Sequence, residues 1–504
     1  MSAQNRPHTP NILPAPRPLP RFLPDTPRES ASIAEPARRV SVLAECDVAV
    51  LGGGPAGVCA AVAAARSGAR TIIVERHAYF GGMATAANVN IWHSLWSQTF
   101  EQQVIGGLAQ EILDRLEAIG AMRNNRPDGR GMYTICSEST KLCYDDMIVG
   151  SGVRVLLHAW LAGAATDEYG NITAAILETK SGRGALRAKV FIDATGDADL
   201  CARAGAPTNV GDAAGLCQPP SLCFRVGGID FKKAEDAGVN TRTIQAELFK
   251  GTMDYNGGKY PTFLWGTKSV WRKDEYMFAG VRVPGVVCSK WDDFTRAEIE
   301  GRYQLRWVME NLRRFPGYEN CSLVDIGAQI GVRETRRIEG EYTVQEHELL
   351  EGYRFHDTIA QGTYPVDIHN PTGPGIVFRK LDGTEYEVQG DGTGIGRRWD
   401  GQPEGAPKKT TPCYCVPYRS LIPKGLKNVL AAGRCISATH EAAGALRVMI
   451  NAMSFGHAAG AAAAQAVARH GGAVREVDAA ALREHLIRDG VPLLPVEQPV
   501  GAAG

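Results

Sequence analysis

The segment Gly52-Gly-Gly54-Pro-Ala-Gly57 constrains this chain more than any other. A short apolar run, Asp47-Val-Ala-Val-Leu51, precedes it. An alanine-rich stretch from Ala56 to Ser67 follows, stopped by Gly68 as a C-cap. Arg70-Thr-Ile-Ile-Val74 is the next strand, and it closes on Glu75. Strand, glycine turn, helix and strand make a βαβ unit of about 30 residues, the size such a unit requires. Each part has a physical task. Gly52 permits the tight turn, Gly54 lets backbone N–H groups approach a pyrophosphate, and Gly57 allows close helix–strand packing. The helix N-terminus, with Pro55 and Ala56 in its first turn, offers free N–H donors and a partial positive charge to phosphates. Glu75 can accept hydrogen bonds from both hydroxyls of an adenosine ribose, and its charge repels a 2′-phosphate, so NADP should be rejected. The competing reading is a glycine-rich turn that holds no ligand.

Three further features favour FAD over NAD. Gly81-Gly82 follows Glu75 closely, in the loop Phe80-Gly-Gly-Met-Ala-Thr85. Asp193-Ala-Thr-Gly-Asp197-Ala-Asp199 ends the last strand of a β-meander. Ala432-Gly-Arg434 lies near the C-terminus. An NAD domain usually completes itself with a second mononucleotide half. Here the pieces are dispersed, as a long extended dinucleotide requires.

The rest of the chain sets bounds on this reading. Lys+Arg and Asp+Glu each number 55, and a balance of zero argues against a nucleic-acid partner, which needs surplus cations. The most hydrophobic stretch, from about Ala442 to Ala468, is interrupted by Arg447, Asn451, His457 and Gln465, so no membrane span is expected. No export signal is legible and the 12 cysteines are scattered, which reads as cytoplasmic with reduced thiols. Cys413 and Cys415 lack a four-ligand metal set, so no metal site is expected.

Residues 1–45 hold nine prolines between Pro7 and Pro36 and few apolar residues. They read as an arm, disordered or laid across a neighbouring subunit of a homodimer. Residues 46–215 read as the first part of a Rossmann-like domain: βαβ unit, then short strands at Val153–His158, Leu161–Thr166, Ile172–Glu178 and Ala188–Ile192. Residues 216–415 carry no clean period and read as an inserted α+β substrate domain, with a helix over Thr295–Leu312. Residues 416–470 return to the first domain, through the strand Asn428–Ala432 and a small-residue helix from about Ala443 to Arg469. Gly444, Gly456 and Gly460 there would admit a close neighbour. Residues 471–504 add one helix near Asp478–Arg488 and a tail. The fold class is α/β, a central parallel sheet with β-meander and helices.

The chain resembles FAD-dependent oxidoreductases of the glutathione-reductase superfamily, in the branch of fumarate reductase flavoproteins and aromatic hydroxylases. It is most similar to a broad bacterial group with blocks like Val416-Pro-Tyr-Arg-Ser-Leu-Ile-Pro-Lys-Gly425, Ala432-Gly-Arg-Cys-Ile-Ser-Ala-Thr-His-Glu441 and Arg447-Val-Met449, and with a run like Arg333-Glu-Thr-Arg-Arg337. The likeness covers about residues 46–470. It implies that Gly52, Gly54, Gly57 and Glu75 hold the ADP half of FAD. Arg76, Gly82, Met83 and Thr85 would lie along the pyrophosphate and towards the isoalloxazine. Val155 to Leu157 would pass the adenine. Asp197, with Ala194 and Gly196, would bind ribityl or pyrophosphate groups. Gly433 and Arg434 would lie beside the flavin ring. Some relatives attach FAD through a histidine near the Gly-Gly loop; from that loop onward there is none until His93, so binding is expected to be non-covalent.

For catalysis, His440 is the first choice as acid/base, since it follows Gly433-Arg434 and titrates in the useful range. A histidine that only hydrogen-bonds flavin or backbone explains it equally well. Glu441 could orient His440 or cap a helix. Arg333 and Arg336 could clamp an anionic substrate, or brace the insert through internal ion pairs. Arg447 is similarly ambiguous. Trp92, His93 and Trp96 could wall a substrate pocket, or fill a core. No second strand–glycine-loop–helix is legible. Gly392-Thr-Gly394-Ile-Gly396 reads as a polar loop without flanking strands.

The expectation is an FAD-dependent dehydrogenase or oxidase that moves hydride from a small polar organic substrate to flavin N5, reoxidised by oxygen or another acceptor. The alternatives are an NAD(P)H-dependent flavin monooxygenase on an aromatic or alkaloid-like substrate, and a non-catalytic FAD subunit that relays electrons to a partner.

Overall fold

The computed structural model describes residues 34–249, 252–255, 258–261, 264–389 and 393–495. Most of the proline-rich arm, Gly392 and the C-terminal tail lie outside the described residues. A seven-stranded sheet organises the molecule: β1 (Ser41–Leu51), β2 (Thr71–Val74), β3 (Arg154–Leu156), β4 (Trp160–Thr166), β5 (Ile172–Thr179), β6 (Gly182–Asp193) and β7 (Val429–Ala431). Its order is β3-β2-β1-β6-β5-β4, with β7 on the C-terminal end of β6. β1 runs parallel to β2, placing Val50 opposite Ile73, and parallel to β6, placing Val48 opposite Val190. β3 and β7 are also parallel to their neighbours, while β4 and β5 return antiparallel. Strands covered on both faces read as unbroken apolar runs, which is why β1, β2 and β7 were legible.

Three details differ from the sequence reading. β1 begins at Ser41, so Ser41–Glu45 belong to the sheet and pair with Gly184–Arg187 rather than to the arm. The strand expected at Val153–His158 is β3, which extends the parallel sheet beside β2 rather than joining the meander. The long C-terminal helix is two helices. After α1 (Pro55–Arg66) come α2 (His440–Leu446) and α3 (Met449–His470), separated where Val448 is extended at φ −69°, ψ 148°. Neither glycine nor proline marks that break, so the small-residue pattern runs through it.

α1 and α3 pack against each other on one face of the sheet because their contact residues are small. A Cβ on Gly456 would strike the carbonyl of Ala56, and one on Gly460 the carbonyl of Ala60. Gly444 stands the same way against Asp367.

The stretch expected as one insert is built in two ways. Residues 222–332 have a core of their own, including Phe224, Phe278, Leu305 and Met309. It is formed by an antiparallel sheet (Trp265–Lys268, Tyr276–Arg282, Ser221–Gly227 and Ser322–Ile326, in that order) and the helix Trp291–Leu312. That helix starts four residues before Thr295; Asp292 and Asp293 suit its first turn. Residues between Val344 and Val416 instead share the core of α1 and α3. They include an antiparallel sheet of Val366–His369, Ile376–Arg379, Thr384–Val388 and Gly394–Arg398. The loop expected around Gly394 is therefore the last strand of a hairpin.

Candidate active site and cofactor cleft

The glycine turn after β1 is set by its own backbone. Gly52 has φ +102°, a conformation that side-chain-bearing residues rarely adopt. A Cβ on Gly57 would strike the Gly52 carbonyl and lie 3.2 Å from Ala194 Cβ, so Gly57 serves the helix–strand packing expected of it. Gly53, not singled out in the sequence, donates its N–H to Glu75 Oε2 at 2.6 Å. The other Glu75 oxygen accepts from the His77 N–H at 2.8 Å. The buried carboxylate is thus fixed by two backbone donors and keeps lone pairs for a ligand.

From this turn a cavity of about 1060 Å³ runs through the molecule. Ligand pockets are commonly about 300–1,000 Å³, so this one has room for a large ligand beside a small one. It is lined by Gly52, Gly54, Pro55, Ala56, Glu75 and Arg76, and by Gly82 and Met83. Ala194, Gly196, Asp197, Gly433 and Arg434 also line it. Trp92, His93, Trp96, Arg333 and Arg447 complete it. Segments far apart in the chain therefore meet around one space.

The charges along it are mostly balanced. Arg434 pairs with Asp197, which also accepts from the Thr335 hydroxyl. Burial pushes the Asp197 carboxyl up, but Arg434 and Thr335 outweigh it and hold the group below its ordinary range. Asp193 shapes the same loop, accepting from Thr195 Oγ1 at 2.7 Å and from the Cys201 N–H at 2.9 Å. Arg76 donates to Gln329 and lies 5.2 Å from the centre of the Trp160 ring.

Five expected site residues do not line the cavity. Gly57 is a packing residue, as above. The Thr85 hydroxyl donates to the Phe80 carbonyl at 2.8 Å and staples the Gly81-Gly82 loop. Leu157 packs against the core; Ala159, Trp160 and Leu161 line the cavity there, because the chain turns outward after β3. Arg336 braces the Asp193–Asp199 loop, bonding the Asp197 carbonyl at 2.8 Å and the Asp199 carboxylate. His440 stands at the start of α2, buried, with Nδ1 2.9 Å from Glu334 Oε1. Burial opposes its charge, but Glu334 prevails and raises its pKa. Glu334, not Glu441, orients it. Thr439 caps α2, accepting from the Ala442 N–H at 3.2 Å.

His93, expected as a wall of the substrate pocket, lines the cavity, whereas His440 does not. The His93 ring is edge-on to Tyr364 at 4.6 Å, and its Nδ1 is buried with no protein partner among the described residues. Burial lowers its pKa to about 4, so the ring is neutral. Asp367, His369 and Tyr364 also line the cavity; no sequence pattern marked them, since they come from a strand and turn of the irregular region.

A cleft that opens on a glycine turn and helix N-terminus, carries a ribose-ready acid and gathers dispersed pieces suits a flavin dinucleotide. The sequence profile described as "FAD dependent oxidoreductase" matches residues 47–486. The chain belongs to the FAD-dependent oxidoreductase family. Its cofactor is FAD.

No curated protein sequence matches this oxidoreductase at a significant level. Among solved structures it is similar to a geranylgeranyl bacteriochlorophyll reductase-like protein from Thermoplasma acidophilum, at 12% identity and TM-score 0.43, covering 88% of this chain and 84% of that one. The flavin-dependent brominase Bmp2 gives 14% identity and TM-score 0.39 over 88% and 83% of the two chains. p-Nitrophenol 4-monooxygenase PnpA from Pseudomonas putida DLL-E4 gives 12% and 0.36 over 59% and 70%.

The residues present fit FAD. The Glu75 carboxylate has free lone pairs, and the helix start at Pro55 faces the cleft. Buried polar atoms without protein partners, Arg434 Nε and Trp92 Nε1, belong to residues that line it. Among the described residues no cluster of His, Cys, Asp and Glu is suited to a metal, and no helix is long and apolar enough to cross a membrane.

Proposed function

We propose that this oxidoreductase is a dehydrogenase or oxidase of a small polar organic substrate. The observation that carries the reading is the neutral His93 on the same cavity as the dinucleotide turn. FAD, held non-covalently, supplies the two-electron chemistry by accepting hydride at N5 and is reoxidised by oxygen or another acceptor. The chain's own residues do the rest. Glu75 and the start of α1 hold the adenosine and phosphate end. Asp197 and Arg434 hold the middle of the cofactor. Trp92 and Trp96 wall the substrate end and exclude water. His93 takes the second proton from the substrate's hydroxyl or amine, leaving a carbonyl or imine product. The sequence blocks that resemble those of the glutathione-reductase superfamily support the same placement. The strand at Gly394–Arg398 leads to no helix, which favours direct oxidation over a dedicated nicotinamide site.

The test is anaerobic. Purified, FAD-loaded protein is mixed with a panel of small alcohols, amines and hydroxy acids. Bleaching of the flavin absorbance by one of them, without NAD(P)H, is expected. Bleaching by NAD(P)H alone overturns the reading in favour of a monooxygenase.

A further inference from the structure

Arg333 and Arg447, which line the cleft, gather with Arg282, which does not, around one carboxylate, Asp367. Arg282 and Asp367 are almost fully buried. Arg447 Nη2 lies 3.1 Å from Asp367 Oδ2, and the Tyr364 hydroxyl donates to the same oxygen at 2.8 Å. His369 stands between, with Nδ1 3.3 Å from Arg282 Nη1 and Nε2 3.3 Å from Asp367 Oδ1. Burial and the nearby Arg333 hold His369 well below its ordinary pKa, so it adds no charge. Burial, with the charge of Asp367, likewise keeps the Tyr364 phenol protonated. Among the described residues, the guanidiniums of Arg333 and Arg447 thus stand close to one carboxylate, Asp367, which Arg447 already engages.

Arg333 is the member left without an ion pair. Its Nη1 donates to the Pro219 carbonyl and to Ser221 Oγ, both at 2.8 Å, and no carboxylate pairs with it among the described residues. Its neighbours in the same run behave differently. Arg336 pairs with Asp199 and Arg337 with Glu334, and neither lines the cavity. The run is thus divided: two arginines brace the fold, and Arg333 faces the cleft. A half-buried cation that faces the cleft with no ion pair of its own leaves room for a ligand to supply the anion. Burial and the adjacent Arg447 depress the Arg333 pKa to about 10, and Asp367, already paired with Arg447, offsets this only in part. An anion between them relieves that strain.

We propose that this cluster is a subsite for the carboxylate of the substrate, with Arg333 and Arg447 as its direct ligands and Arg282 as the supporting charge. The proposal rests on the reading of the cleft as an oxidase or dehydrogenase site, and narrows its substrates to small carboxylic acids. Phosphates of the cofactor have their own place at the start of α1. His93, in contact with Tyr364, then stands beside the bound acid.

The experiment uses the full chain loaded with FAD. Acetate and benzoate are titrated against their uncharged counterparts, acetamide and benzamide, with the flavin difference spectrum as readout. The acid is expected to bind at least tenfold more tightly than the amide in one or both pairs, because hydrogen bonds to a charged group are stronger than those to a neutral one; tenfold equals about 1.4 kcal/mol. Arg333→Gln should abolish that preference and Arg333→Lys should keep part of it, with FAD content unchanged in both. Equal affinity for acid and amide in both pairs overturns the proposal. So does loss of FAD in Arg333→Gln with an unchanged unfolding temperature, which makes Arg333 a cofactor phosphate ligand. Failure of the unmutated chain to take up FAD would instead overturn the function reading.

Discussion

His440 Nδ1 lies 2.9 Å from Glu334 Oε1, and neither residue lines the cleft. Glu334 also accepts from the Gln218 N–H at 2.9 Å and pairs with Arg337. The histidine is therefore a tie between α2 and the segment that carries Arg333. Replacing His440 with Asn should lower stability and leave the flavin-reduction rate of the folded fraction within about threefold, because it touches no reacting group. Its pKa is raised in the folded state, so its contribution is fully present below the ordinary histidine value of about 6.5 and fades as pH rises through the folded value. Unfolding temperatures of the wild type and His440→Asn should therefore converge as the pH is raised. A gap that widens with pH contradicts the ion pair.

Glu75 is predicted to govern cofactor affinity. Glu75→Ala removes the ribose acceptor and frees the two backbone donors it now fixes. FAD affinity should fall by at least tenfold, from the loss of charge-assisted bonds of about 1.5–3 kcal/mol each. Equilibrium titration of flavin fluorescence measures it. Glu75→Gln should lie between the two, since one side-chain acceptor oxygen survives.

His93 is predicted to carry the proton. His93→Phe should reduce kcat by about 10²–10⁴-fold with FAD still bound, the usual range for a positioned acid or base. With a pKa near 4, the base is already neutral across the physiological range. Activity due to this group should be flat from about pH 5.5 upward and fall as pH drops through about 4. Its effect on folding has the same origin: below about 6.5 the unfolded chain binds a proton that the buried ring refuses, so acid destabilises the fold. His93→Phe should lessen that acid sensitivity. A kcat within threefold of wild type would remove His93 from the mechanism.

Gly460 is predicted to be intolerant of any side chain. A Cβ there meets the Ala60 carbonyl and lies 2.8 Å from Ala63 Cβ, so α3 must move away from α1. Gly460→Val should destabilise by about 1–3 kcal/mol or more, the cost of overpacking a tight core. Urea unfolding followed by flavin fluorescence would show it as a lower midpoint.

The dinucleotide turn was legible because its physics is local. Gly52, Gly57 and Glu75 sit within one βαβ unit, where spacing along the chain sets spacing in space. The same locality explains the agreement on β1, α1 and β2. Arg434 and Asp197 were legible for another reason: both follow strands of the central sheet, and strand ends converge on one edge. Leu157 failed by a few residues, since a loop can shift a contact without changing composition.

Which histidine and which arginines line the cleft was not legible, for want of this locality. His440 and His93 both follow a glycine turn of the expected cofactor site, and only packing separates them: one is turned to Glu334, the other to the cleft. Arg333, Arg336 and Arg337 look alike in sequence, yet two are neutralised and one is not. The chain alone determined the sheet, the cofactor turn and the redox class, because these depend on periodicity and short-range glycine geometry. The tertiary structure decided which acid faces which base, because that depends on segments hundreds of residues apart being brought together by a shared hydrophobic core.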